Sequence, residues 1–403
     1  MQQYRRMLGL PGVRTLMLLM LFARIPVSAA GMVITLRVAV GLGRGYGEAG
    51  LVGGMATIGI AVGAPLMGMV VDRYGLRPMV LLATVCEAAF WVCVRFMSYP
   101  VLLGAAFLGG LMALPAMSIG RQAIAALVPE GLRRTAYSVD SVSVELTYMV
   151  GPAVAVLLAT SLSTGAAATA LGLAVLVVGT ALAVVNPPVR GAHEEAKGAA
   201  RLPRREWLTP RLIGVFAIGG GAVFVLAGID VSVVAALRGS GQLDWTGLLI
   251  VITCAASAVG GLVHGAVRRS LPQVALMGLL GLLTVPVGLF AGPWWLLALA
   301  LVPCAALCAP TIAATGEQVA RLAPSVMRGQ ATGLQSSAFT LGASLGAPVV
   351  GFVVDHTAPA WGFAVAGLGG LAIAGLARLL GAGRAQPVER TDSASLTSSN
   401  PVS

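Results

Sequence analysis

Long apolar runs constrain this chain more than any other feature of its sequence. Of its 403 residues, 57% are apolar and only 10% are charged, whereas a soluble domain carries about 25% charged residues. The apolar residues are gathered into runs close to the ~20 residues with which a helix crosses a bilayer. Because backbone polar groups in lipid must be satisfied within the structure itself, runs of this length predict membrane-spanning helices.

Charged or Gly/Pro-rich breaks separate twelve of these runs. Their predicted ranges are about 14–37, 48–70, 79–97, 101–127, 137–160, 166–186, 211–235, 245–267, 272–292, 294–315, 331–354 and 360–380. The sequence therefore predicts an all-α membrane protein with 12 transmembrane helices.

The two halves of the chain repeat. A shift of 195 residues lays the start of the fifth run on the start of the eleventh. The residues that coincide include Leu127, Pro129, Arg133 and Gly151, which fall on Leu322, Pro324, Arg328 and Gly346. Shared Pro, Arg and Gly positions at one offset indicate two six-helix pseudo-symmetric bundles.

The only long polar connection lies between the sixth and seventh runs and divides the chain. We expect an N-terminal six-helix bundle over 1–187, a cytoplasmic linker over 188–210 and a C-terminal six-helix bundle over 211–381. Residues 382–403 are rich in Ser, Thr and Pro and are expected to form a disordered cytoplasmic tail. Within the linker, Trp207 is expected at the headgroup level of the membrane surface.

Arginine accounts for 25 of the 26 basic residues, and most arginines lie in short loops between apolar runs. With the N-terminus inside, the opposite side of the membrane carries only Arg37, Arg44, Arg95 and Arg238. Since cytoplasmic loops are enriched in positive residues, we expect a multi-pass protein of the plasma (inner) membrane with both termini cytoplasmic. Topology thus accounts for the net charge of +11, and no nucleic-acid partner is predicted.

The loop between the second and third runs has the sequence GMVVDRYGLRP. A glycine at its start would let another helix approach closely, and a glycine inside it would permit the backbone of a sharp reversal. The acidic and basic residues leave the hydrocarbon together at what we expect to be the cytoplasmic side. The positions that form this pattern are Gly68, Asp72, Arg73, Gly75 and Arg77.

This loop resembles the loop between helices two and three of the major facilitator superfamily of secondary transporters. The resemblance extends over nearly the whole chain and is closest in type to bacterial drug/proton antiporter-like members. It implies that Asp72, Arg73 and Arg77 contact the other half and hold one access state, as gating residues. The antiporter signature of the fifth helix is matched in part, by Gly151-Pro152 followed by Ala-Val-Ala. An arginine inside the fourth helix is not matched before Arg121, which we place at the cytoplasmic end of that run.

Charged residues inside the runs need a reason, because a charge at mid-bilayer costs about 2.5–3.5 kcal/mol on insertion scales. Counting from the cytoplasmic ends of their runs, Arg24, Glu87 and Glu145 each lie ~12–15 Å deep. Opposite charges at one depth can neutralise one another. We therefore expect Arg24 to pair with Glu145 first and with Glu87 second, although a structural hydrogen bond is the favoured role of Glu87.

Two further acidic residues are expected at the ends of their runs. Asp140 is placed near the cytoplasmic end, where it would contact Arg133 or the Asp72–Arg73 loop. Asp230 is placed near the outer end of the seventh run, where an ion pair with Arg238 would form an outer gate.

The fifth run carries a polar stripe at spacings of three and four, which places its members on one helix face. The stripe is Ser138, Ser141, Glu145, Tyr148 and Pro152, and Pro26, Gly151 and Pro152 are expected to bend their helices. This face would line a cavity or meet the other half. Two interpretations of Glu145 stay open: a group that titrates and couples transport to protons, or the permanent ion-pair partner of Arg24.

The residue patterns do not indicate an enzyme. The sequence has no nucleotide-binding glycine loop, no nucleophile–base pattern and no metal-ligand spacing, so we predict no catalytic residues, no metal and no cofactor. The expected partners are a small-molecule substrate, protons and the lipid bilayer, and the expected state is a monomer. The favoured function is proton-coupled efflux of a small amphipathic or apolar compound. Uptake of a small anionic metabolite held by Arg24, and a non-transporting sensor or scaffold, are the alternatives.

Overall fold

The computed structural model of the chain describes residues 2–189, 203–267 and 270–382. Regular structure in these residues is helical throughout, and 12 helices are long and apolar enough to cross a membrane. The predicted fold class and number of spans are thus confirmed. Most of the predicted linker, and the tail beyond Ala382, lie outside the described residues.

The spans are numbered 1 to 12 along the chain. Their helical segments are Val13–Leu36 continued by a π-helical turn Arg37–Gly41, Tyr46–Tyr74, Leu76–Val94, Tyr99–Leu111 with Ala116–Leu127, Glu130–Ser161, Thr164–Val185, Pro210–Gly239, Leu243–Trp245 with Thr246–Ala266, Gln273–Thr284 with Val285–Phe290, Trp294–Ala305 with Cys308–Leu322, Arg328–His356, and Pro359–Ala382. Short helices Gln2–Leu8 and Arg204–Trp207 precede spans 1 and 7, and a turn Ser325–Met327 precedes span 11.

Spans 4 and 10 are each broken into two helices, at equivalent places in the two halves of the chain. In span 4 the break ends at Pro115, which has no N–H to bond the carbonyl of Leu111 and disfavours helix in the residue before it. In span 10, Pro310 in the first turn of the second segment likewise leaves the carbonyl of Ala306 without its helical donor. The predicted ranges 101–127 and 294–315 each run across a break and gave no indication of it.

Apolar side chains are packed into several cores. Buried residues of spans 1 to 6 form two clusters, one of which also includes Ala313 and Ala320 of span 10, and most buried residues of spans 7 to 12 form a third. Glycines bring helices into direct backbone contact inside a bundle. A Cβ on Gly59 or Gly63 of span 2, for example, would lie 2.2 Å from a carbonyl oxygen of span 4. Small residues of this kind are typical of helix contacts in lipid, where close packing drives association.

The two bundles meet along two seams, span 2 against span 11 and span 5 against spans 8 and 10. The contacts between the bundles begin at the membrane end that carries Asp72, which we call the Asp72 end. They continue to about the middle of the spans, where Ser337 donates to the carbonyl oxygen of Ala61 at 2.6 Å. Large side chains on the outer half of span 5, such as Tyr148 and Leu157, are about 60% exposed, at 59% and 62%. The protein is therefore closed at the Asp72 end and parted at the other, which we call the open end.

Trp207 is packed against protein. It is only 3% exposed and contacts a cluster with Leu212, Val319 and Ala331 at the ends of spans 7, 10 and 11. The short helix Arg204–Trp207 therefore packs against the second bundle, and the headgroup depth of Trp207 stays a prediction.

Candidate transport site and gate

Asp72 binds across the seam between the bundles. Its two carboxylate oxygens accept the backbone N–H groups of Gly329 at 3.0 Å and Gln330 at 2.9 Å. These donors belong to the first turn of span 11, whose first four N–H groups have no partner inside the helix. An anion is also stabilised at a helix N-terminus by the helix dipole. A carboxylate of the first bundle thus caps a helix of the second.

Glycines make this contact possible. A Cβ on Gly68 would lie 2.2 Å from the carbonyl oxygen of Gly329, and a Cβ on Gly333 would lie 2.5 Å from that of Ala64. Both positions therefore exclude any larger residue while the end is closed. Gly75 has φ 87°, a backbone conformation that favours glycine, and it joins the end of span 2 to the start of span 3.

The basic residues of the loop do not share the contact. Arg73 and Arg77 are exposed, and the Arg73 guanidinium lies 5.1 Å from the ring centroid of its neighbour Tyr74. We expected all three charged residues to contact the other half, and the structure shows a bond across the seam for Asp72. Asp72 lies on the last turn of span 2 beside span 11, whereas both arginines are exposed.

The second seam is closed by polar contacts near the N-terminal helix. Arg134 pairs with Glu317 at 3.3 Å, and the Thr135 hydroxyl donates to the carbonyl oxygen of Gly265 at 2.7 Å. The Tyr4 hydroxyl donates to the carbonyl oxygen of Leu262 in span 8. Burial raises the pKa of Tyr4, so its hydroxyl stays protonated and remains a donor. The N-terminal helix therefore helps to tie the bundles together at the Asp72 end.

Arg24 pairs with Asp140, not with Glu145 or Glu87. Its Nη2 lies 2.6 Å from Asp140 Oδ1, both side chains are 2% exposed, and its Nη1 donates to Ser143 Oγ at 2.9 Å. The pairing predicted from the sequence was wrong, and so was the expectation that Asp140 contacts Arg133 or the Asp72 loop.

The cause of this error lies in where span 5 begins. It begins at Glu130 rather than at 137, so Asp140 is ~15 Å from the helix start, the depth at which Arg24 lies along span 1. Gly120 of span 4 leaves room for the guanidinium, because a Cβ there would lie 2.7 Å from Arg24 Nη2.

Glu145 instead bonds across the second seam. Ser257 Oγ of span 8 donates to Glu145 Oε1 at 2.8 Å. Ser257 Oγ in turn accepts the Ala309 N–H at 3.2 Å. Ala309 is the second residue after the break in span 10. A carboxyl group of the first bundle is thus linked through one serine to the broken span of the second bundle.

Glu87 binds the broken span of the first bundle. Its Oε2 accepts the N–H of Leu114 at 2.7 Å, in the break of span 4. The break frees this backbone donor in an apolar region, where an unpaired N–H would cost several kcal/mol. Glu87 is 6% exposed, and its bond has the structural character that the sequence favoured.

Asp230 and Arg238 do not form the expected outer ion pair in the described part of the chain. Both lie on the single helix Pro210–Gly239, eight residues and therefore ~12 Å apart along its axis. Asp230 is exposed and lies within electrostatic range of Glu145. Its carboxyl group therefore belongs to the parted region between the bundles.

The other predicted residues of span 5 divide between two roles. Ser141 is 4% exposed and lies inside the bundle, whereas Tyr148 faces the parted region. Gly151 gives close contact with span 1, since a Cβ there would lie 2.0 Å from Ser28 Oγ. Pro26 and Pro152 are both accommodated within continuous helices.

Arg121 is a site residue that the sequence analysis misplaced. It is 3% exposed, and its guanidinium carbon lies 4.7 Å from the ring centroid of Phe339 in span 11. It is therefore buried at the seam rather than placed at the end of the span. The available signal was Pro115, because a break at that point starts a new helix with Arg121 in its second turn.

Two bundles of membrane-spanning helices that are joined at one end and parted at the other, with carboxyl groups between them, are the architecture of a class of membrane transporters. The sequence profile of the Major Facilitator Superfamily matches residues 16–274. The chain belongs to this family.

Solved structures of transporters share the fold. A bacterial homologue of the iron transporter ferroportin, in an outward-facing state, has a TM-score of 0.71 at 17% identity, covering 91% of this chain and 98% of that one. The proton:xylose symporter XylE has a TM-score of 0.68 at 17% identity, with coverages of 90% and 94%. The human organic anion transporter TETRAN has a TM-score of 0.67 at 18% identity, with coverages of 93% and 99%. At these identities the similarity shows the fold alone.

No curated protein matches the chain significantly in sequence.

Proposed function

We propose that this protein is a proton-coupled secondary transporter that exports a small amphipathic or apolar compound by alternating access. In this proposal the Asp72 end faces the cytoplasm, both termini are cytoplasmic, and the membrane is the plasma (inner) membrane. The bundles are the units 1–187 and 211–381. The observation that carries the proposal is the position of Glu145, a carboxyl group at the mid-membrane limit of the closed seam and beside the parted region.

Buried polar atoms at the closed end support an alternating opening. Arg121 Nη1, Asp140 Oδ2 and both amide atoms of Gln335 lack a hydrogen-bond partner in the described protein. Polar groups buried in this way are costly unless they are paired. Opening of the Asp72 end would bring water to them, so we interpret them as the lining of an inner vestibule that is shut in the present state.

The chemistry of the parted region favours an amphipathic substrate. Two carboxyl groups, Glu145 and Asp230, lie there with Tyr148 among mostly aliphatic neighbours. Uptake of an anion held by Arg24 is disfavoured, because the Asp140 carboxylate already occupies that guanidinium. The similar structures are named for different cargoes, organic anions in one case and xylose with protons in another. We therefore base the proposed substrate class on this chain's own residues.

The test uses everted membrane vesicles with an internal pH reporter. A proton gradient is established, and amphipathic cations, neutral drugs and organic anions are added in turn. We expect at least one amphipathic compound to collapse the gradient with the wild type and not with Glu145→Gln. The matched control is Glu48→Gln, which changes an exposed carboxylate near the open end. Accumulation of a labelled anion in right-side-out vesicles, with no response in everted ones, would contradict export.

A further inference from the structure

A serine connects the two bundles at the level of the candidate coupling carboxyl. Ser257 lies on span 8, is 3% exposed, and has one hydroxyl proton and two lone pairs. The proton is given to Glu145 Oε1 at 2.8 Å, and a lone pair accepts the N–H of Ala309 at 3.2 Å. Both bonds have ordinary hydrogen-bond lengths.

The two broken spans are capped in different ways, and the difference bears on function. In span 4 the freed N–H of Leu114 is bound by Glu87, a residue of the same bundle. In span 10 the N–H of Ala309 is bound by Ser257, whose own proton goes to Glu145 of the opposite bundle. The first cap lies within one rigid unit. The second is part of a contact that relative movement of the bundles would break.

We infer that Ser257 is a positioning residue that makes the charge of Glu145 hold the Asp72 end closed. This inference deepens the proposed function and rests on its proton coupling. With Glu145 ionised, Ser257 makes a charge-assisted hydrogen bond, which is roughly twice as strong as a neutral one. When a proton binds Glu145, that bond weakens, the seam between spans 5 and 8 loosens, and the Asp72 end opens.

Opening of the Asp72 end on protonation of Glu145 agrees with exchange of a proton for an exported substrate. In the present state Glu145 lies beside the parted region, from which a proton can reach it. Protonation then favours the state open at the Asp72 end, where the proton leaves and substrate enters. Loss of the proton restores the Glu145–Ser257 bond and closes that end again. One proton moves inward for each closure, and no other reactant is needed.

Several other groups face Glu145 and need to be separated from it in a pH experiment. They are Asp230 on span 7, Cys254 on span 8, Cys308 on span 10, and Tyr148 on span 5, the helix of Glu145 itself. Arg24 of span 1 also lies within electrostatic range of Tyr148. Asp230 is the other carboxyl group of this set. Asp230→Asn therefore distinguishes a response of Glu145 from a response of its neighbour.

The experiment measures the opening of the Asp72 end directly and needs no substrate. Spin labels on bio-orthogonal amino acids replace the exposed residues Arg77 and Arg321, one on each bundle at that end, so that Cys254 and Cys308 remain in place. The distance between the labels is recorded in lipid nanodiscs from about pH 5 to about pH 9, because buried carboxyl groups in proteins can have pKa values as high as about 8–9.

For the wild type we expect the closed distance to dominate at high pH and the open distance to grow as pH falls. Ser257→Ala should lower the ratio of closed to open protein at high pH by about tenfold, the size expected for a hydrogen bond to a charged group. It should also make the distance between the labels depend less on pH, as we expect for Glu145→Gln. Ser257→Thr, which keeps the hydroxyl, should restore the response.

Thr253→Val is the matched control, because Thr253 lies one turn away on span 8 and its hydroxyl bonds carbonyls of its own helix. It should behave as the wild type. A pH response should remain in Asp230→Asn, because Glu145 and Ser257 are intact in that variant. A wild-type response in Ser257→Ala, or a distance that does not change with pH, would overturn the inference. The gradient assay in vesicles reports on transport separately, so coupled transport with an unchanged Ser257→Ala response would reject the serine alone.

Discussion

A buried ion pair joins spans 1 and 5 at the Asp72 half of the first bundle. Arg24 and Asp140 are each 2% exposed and are 2.6 Å apart. Their mutual attraction offsets the loss of hydration, and removal of either partner leaves an uncompensated charge in an apolar interior. Each partner is therefore needed while the other is present, and Arg24 does not neutralise Glu145.

Asp140→Asn should destabilise the protein by about 3–5 kcal/mol, the range for breaking a buried pair. The measurement is the apparent unfolding temperature of purified protein in detergent. Glu48→Gln, which breaks a pair whose side chains are 50% and 35% exposed, should cost about 0–1 kcal/mol. A double variant, Arg24→Met with Asp140→Leu, should recover most of the lost stability. Equal unfolding temperatures for Asp140→Asn and Glu48→Gln would show that the buried pair has no such role.

Glu87 provides a second prediction at this scale. Glu87→Gln keeps an oxygen that can accept the N–H of Leu114, whereas Glu87→Leu leaves that donor buried and unpaired. We expect Glu87→Leu to cost about 1–3 kcal/mol and Glu87→Gln much less. Thermal unfolding measures the difference, and gradient collapse in vesicles should be retained in Glu87→Gln. Loss of transport in Glu87→Gln with normal stability would instead make Glu87 a coupling residue.

Sequence reasoning found the charged residues of the membrane interior but not their partners. It identified Arg24, Glu87 and Glu145 as groups that need a reason to be buried, and the structure places all three inside the spans. The partners depend on depth, and depth depends on where each helix begins. Span 5 begins seven residues before the predicted range, which shifts every residue on it by ~10 Å relative to its neighbours. Hydropathy does not locate such a boundary, because the added turns at 130–136 are polar.

At the scale of elements, the closed end depends on helices that touch through glycine. Span 2 meets span 11 at Gly68, Gly329 and Gly333, where added Cβ atoms would lie within 2.5 Å of atoms of the opposite helix. Helix backbones that approach this closely make van der Waals contact, and the Asp72 cap and the hydrogen bond from Ser337 to the Ala61 carbonyl oxygen add to it. Such a seam can be parted by a small change in one side chain.

Gly333→Ala should therefore favour the state open at the Asp72 end. Its methyl group would lie 2.5 Å from the carbonyl oxygen of Ala64 and 2.7 Å from the Cα of Pro65, and neither backbone atom can move aside easily. Labelling of a cysteine at the seam by a membrane-impermeant maleimide in everted vesicles should increase about tenfold or more, as expected for a clash above ~1.4 kcal/mol. Gly53→Ala on span 2, where a Cβ would meet nothing within 4 Å, is the matched control. Unchanged labelling of Gly333→Ala would contradict a seam held by glycine contact.

The breaks in spans 4 and 10 could not be predicted from hydropathy, because both fall inside apolar sequence. Proline is the only local signal, and it is ambiguous, since Pro26 and Pro152 lie in continuous helices. What decides the outcome is whether a neighbour can satisfy the freed backbone groups. Glu87 and Ser257 do so at the two breaks, and neither relationship is visible in the order of residues along the chain.

At the scale of the whole molecule, the two bundles meet from the Asp72 end to about the middle of the spans. The repeat between the fifth and eleventh runs predicted two similar bundles, and the family profile and solved structures agree with that fold. The state could not be predicted, because one sequence is compatible with closure at either end. Asp72 at the start of span 11 and Glu145 on Ser257 both belong to the contact that the present state makes.

We propose that closure at one end and opening at the other are a single movement of the two bundles. The most direct measurement places one pair of spin labels at Arg77 and Arg321, at the Asp72 end, and a second pair at Phe96 and Leu289, which are 76% and 83% exposed at the open end. Both distances are recorded in the wild type and in Gly333→Ala. We expect the substitution to lengthen the first distance and to shorten the second. A longer first distance with an unchanged second one would contradict alternating access.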